Sequence, residues 1–214
     1  MNRDLQHVRR DYLKQSLDPS GVPPDPFDLL QTWLADADRP DIPDHTAMHL
    51  STVGRDGHPS SRIVLLKEIW DGKLVFYTHH QSRKGKEMAR NRQVALLFFW
   101  PALERQVRVE GRVTQVPEEK SDAYFQSRPY ESRIAAWASA QSRPLRNRGE
   151  LEEAVSRYKT MHPEGSPVPR PPSWGGYAVS PDRLEFWQGG AARLHDRVEY
   201  LRTDSRWTRR RLAP

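Results

Sequence analysis

The sequence contains no cysteine. Disulfides, thiolate metal sites and cysteine nucleophiles are therefore excluded. Neither a G-x-G-x-x-G nor a P-loop is present, so the common glycine-rich phosphate loops are absent as well. No apolar run approaches the roughly 20 residues that a membrane-spanning helix needs. The opening MNRDLQHVRRDYLKQ carries no apolar signal core. The expectation is a soluble cytoplasmic protein with no membrane partner. Hydrophobic residues are scarce, at 36% of 214. Even so, the run VALLFFW (94–100) demands burial, which argues against a disordered chain.

Basic residues are in surplus. Against 28 Asp and Glu stand 34 Lys and Arg, a formal net charge of +6. Such a surface attracts nucleic acid, acidic lipid or small phosphorylated ligands, and composition alone does not choose among them. The 18 prolines suit a compact domain with long loops.

Periodicity supplies the elements. Leu5, Val8, Tyr12 and Leu13 mark a short amphipathic arm near the N-terminus, assigned to residues 1–20. A firmer helix covers 25–37, with Asp25 as its cap, Pro26 in its first turn and a stripe of Phe27, Leu30 and Leu34. Strands are predicted over 46–53, 61–69 and 73–78, the last two joined by an Asp71-Gly72 turn. A short helix over 82–91 precedes VALLFFW and a strand over 105–116. In that strand Val107, Val109 and Val113 alternate with Arg108, Glu110 and Arg112. Helical patterns follow over 117–138 and 149–160, then a Pro-rich loop over 163–172. Strands close the chain near 175–188 and twice more around 196–211. The order points to one mainly β domain over 1–214, an antiparallel barrel with helical decoration.

Four places carry candidate chemistry. Arg62 and Lys67 in RIVLLK lie five apart, so on a regular strand they face opposite ways and serve two places, unless both are merely solvated strand ends. Thr78, Ser82, Arg83 and Lys84 sit where a strand meets a helix start. Hydroxyls, cations and free N–H groups there suit a phosphate; the alternative is a solvated first turn, although cations are disfavoured at that end of a helix dipole. Tyr124, Arg128 and Ser132 are spaced by four, but Pro129 disfavours a helical Arg128 and breaks any continuous helix. They form either a second phosphate cradle or an exposed helix junction. Finally, EFWQGGAARLHDR (185–197) gathers Trp187, two glycines, Arg193, His195 and Arg197. His45 and His49 lie four apart in a segment that reads as strand and lacks a metalloprotease Glu, so no metal is expected. The terminal RRR (209–211) is read as a solvated strand end rather than a nucleic-acid contact.

Together these residues resemble the pyridoxamine 5′-phosphate oxidase family. RRDYLK (9–14), RIVLLK, FYT with SRK, LERQVRVEG (103–111), YFQSRP, LEFWQGGAARLHDR (184–197) and RLAP (211–214) occur in the family's order. The segment 141–172 matches less well. The resemblance implies a Greek-key-like FMN-binding split β-barrel, a homodimer with FMN at the subunit interface, and a C-terminal segment (173–214) that serves both dimer and active site. It implies that Arg62, Ile63, Val64, Leu65, Leu66, Lys67, Tyr77, Thr78, Arg83 and Lys84 line FMN from one subunit. Gln106, Gln141, Ser142, Trp187 and Arg197 would approach from the partner. The substrate would meet Arg9, Tyr12, Lys67, Tyr124, Arg128, Ser132, Arg193, Leu194 and His195, with Arg193 and His195 at the reacting carbon. The implied activity is oxidation of pyridoxamine or pyridoxine 5′-phosphate by dioxygen. Phenazine-biosynthesis flavin oxidases share the scaffold and stand as the alternative.

Overall fold

The computed structural model describes residues 16–214. Arg9 and Tyr12 lie outside the described residues. Five helices and nine strands follow in chain order: α1 (Pro26–Ala37), β1 (Ala47–Val53), β2 (Pro59–Leu65), β3 (Glu68–Trp70), β4 (Lys73–His79), α2 (Arg83–Arg90), β5 (Gln93–Trp100), β6 (Arg105–Gln115), α3 (Glu118–Ser127), α4 (Tyr130–Ala138), α5 (Arg148–Met161), β7 (Trp174–Gln188), β8 (Asp196–Thr203) and β9 (Arg206–Leu212). The strands order β2-β1-β5-β6-β7-β4-β3, with β8 beside β7 and β9 beside β8. Among the described residues no helix is long and apolar enough to cross a membrane.

Local chemistry accounts for the boundaries. Asp25 accepts from the Phe27 amide at 2.9 Å and starts α1, with Pro26 as its first residue. Asp71 and Gly72 take positive φ (50° and 63°), the twist of a two-residue hairpin that joins β3 to β4. The predicted strand over 61–69 is in fact two. β2 stops at Leu65, and past it the Lys67 amide donates to the Val75 carbonyl at 2.8 Å. The helical pattern over 117–138 is also two helices, divided at Pro129 as its ring requires. Arg128 is extended there (φ −75°, ψ 147°).

Contacts divide the chain into two compact units. Of the described residues, the first holds 16–49, 95–110 and 181–214. Its core includes Leu30, Trp33, Phe98, Trp100, Phe186 and Tyr200, with Trp33 edge-on to Phe186 at 5.2 Å. Along β7, β8 and β9 the buried carboxylates of Glu185 and Glu199 sit opposite each other. Glu199 accepts from Arg210 at 2.6 Å, and Arg211 pairs with Asp196 and Asp18 at 2.6 and 2.7 Å. Two arginines of the terminal RRR are thus spent on ion pairs within the sheet.

The second unit holds residues 50–94 and 111–180. β4 pairs antiparallel with β7 from Leu74↔Val179 to His79↔Trp174. Phe125, Ile134, Ala136, Val168 and Trp174 form a buried cluster among α3, α4 and the start of β7. Val75, Val116 and Ala178 form another. This unit carries the cleft that most of the candidate residues line.

Candidate active site

The cleft has a volume of about 530 Å³ and is bordered by β2, its exit to Lys67, the end of β4, α2 and the α3–α4 junction. Arg62, Ile63, Val64, Leu65, Lys67, Tyr77, Thr78, Lys84, Tyr124, Arg128, Ser132 and Gln141 all line it. Arg62 and Lys67 therefore share one cleft. The alternation that would have turned them apart ends at Leu65, two residues short of Lys67. Leu66 does not border the cleft; its side chain is buried, at 6% exposure.

At one end of the cleft the cations are held by protein groups. Arg62 donates through Nη1 to the Leu50 carbonyl (3.1 Å) and Thr52 (2.6 Å), and through Nη2 to Ser60 (2.6 Å) and Glu87 (3.2 Å). Arg83 does not line this cleft but borders another pocket, and its Nε donates to the other oxygen of Glu87 at 2.8 Å. Burial pushes the Glu87 carboxyl up. Hydrogen bonds from Thr52, Arg83 and Ser60 together with the charge of Arg62 outweigh it and bring the pKa down to about 2. Lys84 Nζ donates to Thr78 Oγ1 at 3.0 Å and to Gln141 Oε1 at 2.7 Å. Desolvation, aided by Arg62, lowers its pKa to about 8. The first turn of α2 is capped by Ser82, whose hydroxyl accepts from the Gly85 amide at 3.3 Å.

At the other end, Arg128 packs over the Trp174 ring at 4.7 Å and the Phe125 ring at 5.7 Å. Its Nη1 is buried and has no hydrogen-bond partner among the described residues. Burial lowers its pKa. Tyr77, Tyr124 and Trp174 stack nearly parallel beside it, with centroids 3.9 Å apart for the two tyrosines and 5.4 Å for Tyr77 and Trp174. A buried guanidinium nitrogen left without an acceptor suits an anion. Lys67 and Ser132 border the same cleft.

Sequence reasoning missed three lining residues: His79, Pro129 and Trp174. Trp174 heads β7, ten residues before LEFWQGGAARLHDR begins, and nothing local marks it. His79 Nε2 is buried without a partner among the described residues, and burial lowers the imidazole pKa. The resemblance assigned Gln141 and Ser142 to a partner subunit; within the chain, Gln141 bonds Thr78 and Lys84, and Ser142 Oγ accepts from the Arg83 amide at 3.2 Å.

The remaining candidates belong to the first unit. Gln106 lies on β6. Trp187 pairs in register with Arg197 across β7 and β8. The Arg197 guanidinium holds Glu185 through Nε and Nη2, both at 2.9 Å, and donates to the Ala213 carbonyl at 2.7 Å. Ala192 and Arg193 both take positive φ (51° and 64°), and Leu194 is 73% exposed. The His195 ring sits 4.8 Å from Trp187, and its Nδ1 accepts from the Gly190 amide at 3.1 Å. A Cβ on Gly190 would stand 2.3 Å from the Leu194 carbonyl oxygen. The Gly-Gly turn thus admits the chain's own backbone at close range.

Residues 34–162 match the family described as pyridoxamine 5′-phosphate oxidase, and residues 174–214 match the pyridoxine 5′-phosphate oxidase C-terminal dimerisation region. The chain belongs to the pyridoxamine 5′-phosphate oxidase family. A pyridoxine/pyridoxamine 5′-phosphate oxidase of Chromobacterium violaceum is 52% identical over the full length of both chains. One from Neisseria gonorrhoeae is 47% identical over 99% of this chain and all of its own. Among solved structures, PhzG from Burkholderia lata 383 in complex with tetrahydrophenazine-1-carboxylic acid superposes with a TM-score of 0.87. It is 31% identical over 94% of this chain and 99% of its own. A pyridoxamine 5′-phosphate oxidase-related, FMN-binding protein from Nostoc punctiforme has a TM-score of 0.73 at 16% identity, covering 90% of this chain and all of its own; that likeness shows the shared fold. The fold of this family member is the mainly antiparallel split barrel.

Proposed function

We propose that the protein is a homodimeric FMN-dependent oxidase that converts pyridoxine or pyridoxamine 5′-phosphate to pyridoxal 5′-phosphate. The observation that carries this reading is a single cleft with two separate cationic groupings. Lys84 bonds Thr78 and Gln141 with Arg62 close by, while Arg128 lies beside Tyr124 and Trp174; Lys67 and Ser132 line the same cleft. Two phosphomonoesters need two such groupings, and FMN and a phosphorylated vitamer are two phosphomonoesters.

The donor set fits FMN. Lys84, with a pKa near 8, gains from an anion that restores its charge, and Arg62 stands close enough to perturb it. When bound, FMN supplies a two-electron acceptor that dioxygen reoxidises to give hydrogen peroxide. The alcohol substrate then gives the aldehyde directly; the amine substrate consumes one water and releases ammonia.

The chain's own work is binding and orientation. Arg128, Lys67, Tyr124 and Ser132 hold the substrate phosphate. Arg193 orients the substrate and stabilises charge near the reacting carbon. In His195, Nδ1 accepts from Gly190, so the neutral ring carries its proton on Nε2. In this reading His195 flanks the substrate near the reacting carbon. The match to a C-terminal dimerisation region supports the homodimer, with Trp187, Arg193, His195 and Arg197 on the matched segment. The same reading places the enzyme in the cytoplasm.

The PhzG likeness keeps a phenazine-type flavin oxidase as the second reading. Turnover in air separates the two. FMN-loaded protein given pyridoxine 5′-phosphate should form aldehyde and hydrogen peroxide in equal amounts. A flavin-bearing protein that forms neither would hand the substrate end of the cleft to the second reading.

A further inference from the structure

Glu87 does not line the cleft, yet it accepts four side-chain hydrogen bonds. It is 7% exposed. One carboxylate oxygen accepts from Thr52 (2.5 Å), Ser60 (2.8 Å) and Arg62 (3.2 Å); the other accepts from Arg83 (2.8 Å). These four donors come from β1, β2 and α2. A buried ion pair is weak support for a fold, since an apolar replacement is often no less stable. What such a network does supply is a fixed position for each of its members.

From this geometry we infer that Glu87 is a positioning residue for the FMN phosphate: it holds the guanidiniums of Arg62 and Arg83 in place beside Lys84. The inference rests on the FMN reading above. Arg62 lines the cleft with Lys84, Arg83 borders another pocket, and the two guanidiniums, close enough to perturb one another, repel. Glu87 is the carboxylate that offsets them. It does so from behind: its oxygens take Arg62 Nη2 and Arg83 Nε, while Lys84 turns to Thr78 and Gln141 on the cleft side. Glu87→Gln keeps the shape but offers one acceptor oxygen where the carboxylate offered two. Its amide N–H groups would meet the N–H donors of an arginine.

Two effects oppose each other in that variant. Removing a negative charge near an anion site favours the anion; releasing the guanidiniums disfavours it. Both terminal nitrogens of Arg62 are bound to the network that Glu87 anchors, so the positional effect is the larger.

The test titrates flavin-stripped protein with FMN and, separately, with riboflavin, following flavin fluorescence. Riboflavin shares the ring and ribityl chain but lacks the phosphate. Glu87→Gln should raise the FMN Kd by about tenfold or more and leave the riboflavin Kd unchanged. Ser60→Ala removes one hydroxyl from the network while keeping the charge. It should weaken FMN in the same direction by a smaller factor, and its melting temperature shows that it folds. Equal loss of both flavins, or FMN binding that is unchanged or tighter in both variants, overturns the inference. If Glu87→Gln does not fold, Ser60→Ala decides by the same criterion. Wild-type protein that does not prefer FMN to riboflavin overturns the FMN reading itself, a result visible before any variant is measured.

Discussion

The two ends of the cleft hold arginine by opposite means. Arg62 is embedded among acceptors, with Glu87, Ser60, Thr52 and the Leu50 carbonyl around its terminal nitrogens. Arg128 lies on aromatic faces, with Trp174 and Phe125 beneath it and no acidic partner among the described residues. The first arrangement fixes position and damps charge. The second fixes position and leaves the charge whole, because a ring face attracts a cation without consuming its N–H donors. A resident cofactor phosphate suits the first, since it needs a rigid cradle. A substrate that must enter and leave suits the second, since an unneutralised cation draws a free anion and no carboxylate competes for it.

The largest expected effect separates the ends through acid. Glu87 has its pKa depressed from 4.5 to about 2 in the folded chain. Its contribution to stability is fully present above about pH 4.5 and is lost as pH falls toward 2. That difference is worth on the order of 3 kcal/mol. Urea midpoints at pH 6 and pH 3 should therefore fall more in wild type than in Glu87→Gln. The variant is destabilised at pH 6, and part of its disadvantage should vanish at pH 3. Parallel pH curves for the two proteins would mean that the carboxylate is not paired in solution as it is in the structure.

Next in size is removal of the aromatic-held cation. Arg128→Ala should lower kcat/KM for pyridoxine 5′-phosphate by about 10- to 150-fold, the loss of a charge-assisted contact of roughly 1.5–3 kcal/mol. The loss should fall mainly on KM, with FMN retained, and Arg128→Lys should recover part of it. Arg62→Ala should do the reverse, releasing FMN. If Arg128→Ala shed flavin while Arg62→Ala kept it, the assignment of the two ends would be interchanged.

Much of this frame was legible in the residues. The Asp25 cap, the Asp71-Gly72 turn, the alternation of β6 and the break at Pro129 each rest on local chemistry, which is why each stands where expected. Parts of both expected cradles line the cleft, Thr78 and Lys84 from one and Tyr124, Arg128 and Ser132 from the other, while Ser82 is used as a helix cap and Arg83 turns to Glu87. What escaped depended on contacts distant in sequence. Glu87, within SRKGKEMAR, reads as an ordinary solvated helix acid; it becomes buried only when Thr52 and Ser60 arrive from other strands. Trp174 matters because α3 and the α3–α4 junction bring Tyr124 and Arg128 to its ring. Lys67 was placed by a strand rule that fails because the strand ends first. Gln141 and Ser142 were assigned to a partner by resemblance, and only the folded loop shows them reaching Lys84 and Arg83.

The smallest expected effect uses base instead of acid, and it acts on one end alone. Lys84 has its pKa lowered to about 8 by burial and by Arg62. Without ligand it therefore loses its proton as pH rises through 8, while an arginine stays charged. A bound phosphate stabilises the charged ammonium and raises that pKa, so FMN binding takes up a proton in this range. By linkage, the FMN Kd should rise by about tenfold between pH 7 and pH 9. The KM for pyridoxine 5′-phosphate in FMN-saturated enzyme should change far less over the same range, since Arg128 keeps its charge. Lys84→Arg should flatten the FMN curve, because a guanidinium does not titrate there. If substrate KM rose in step with FMN Kd, the two ends would be electrostatically one site. The contrast between a carboxylate-held and an aromatic-held arginine would then be structural only, with no separate consequence for the two phosphates.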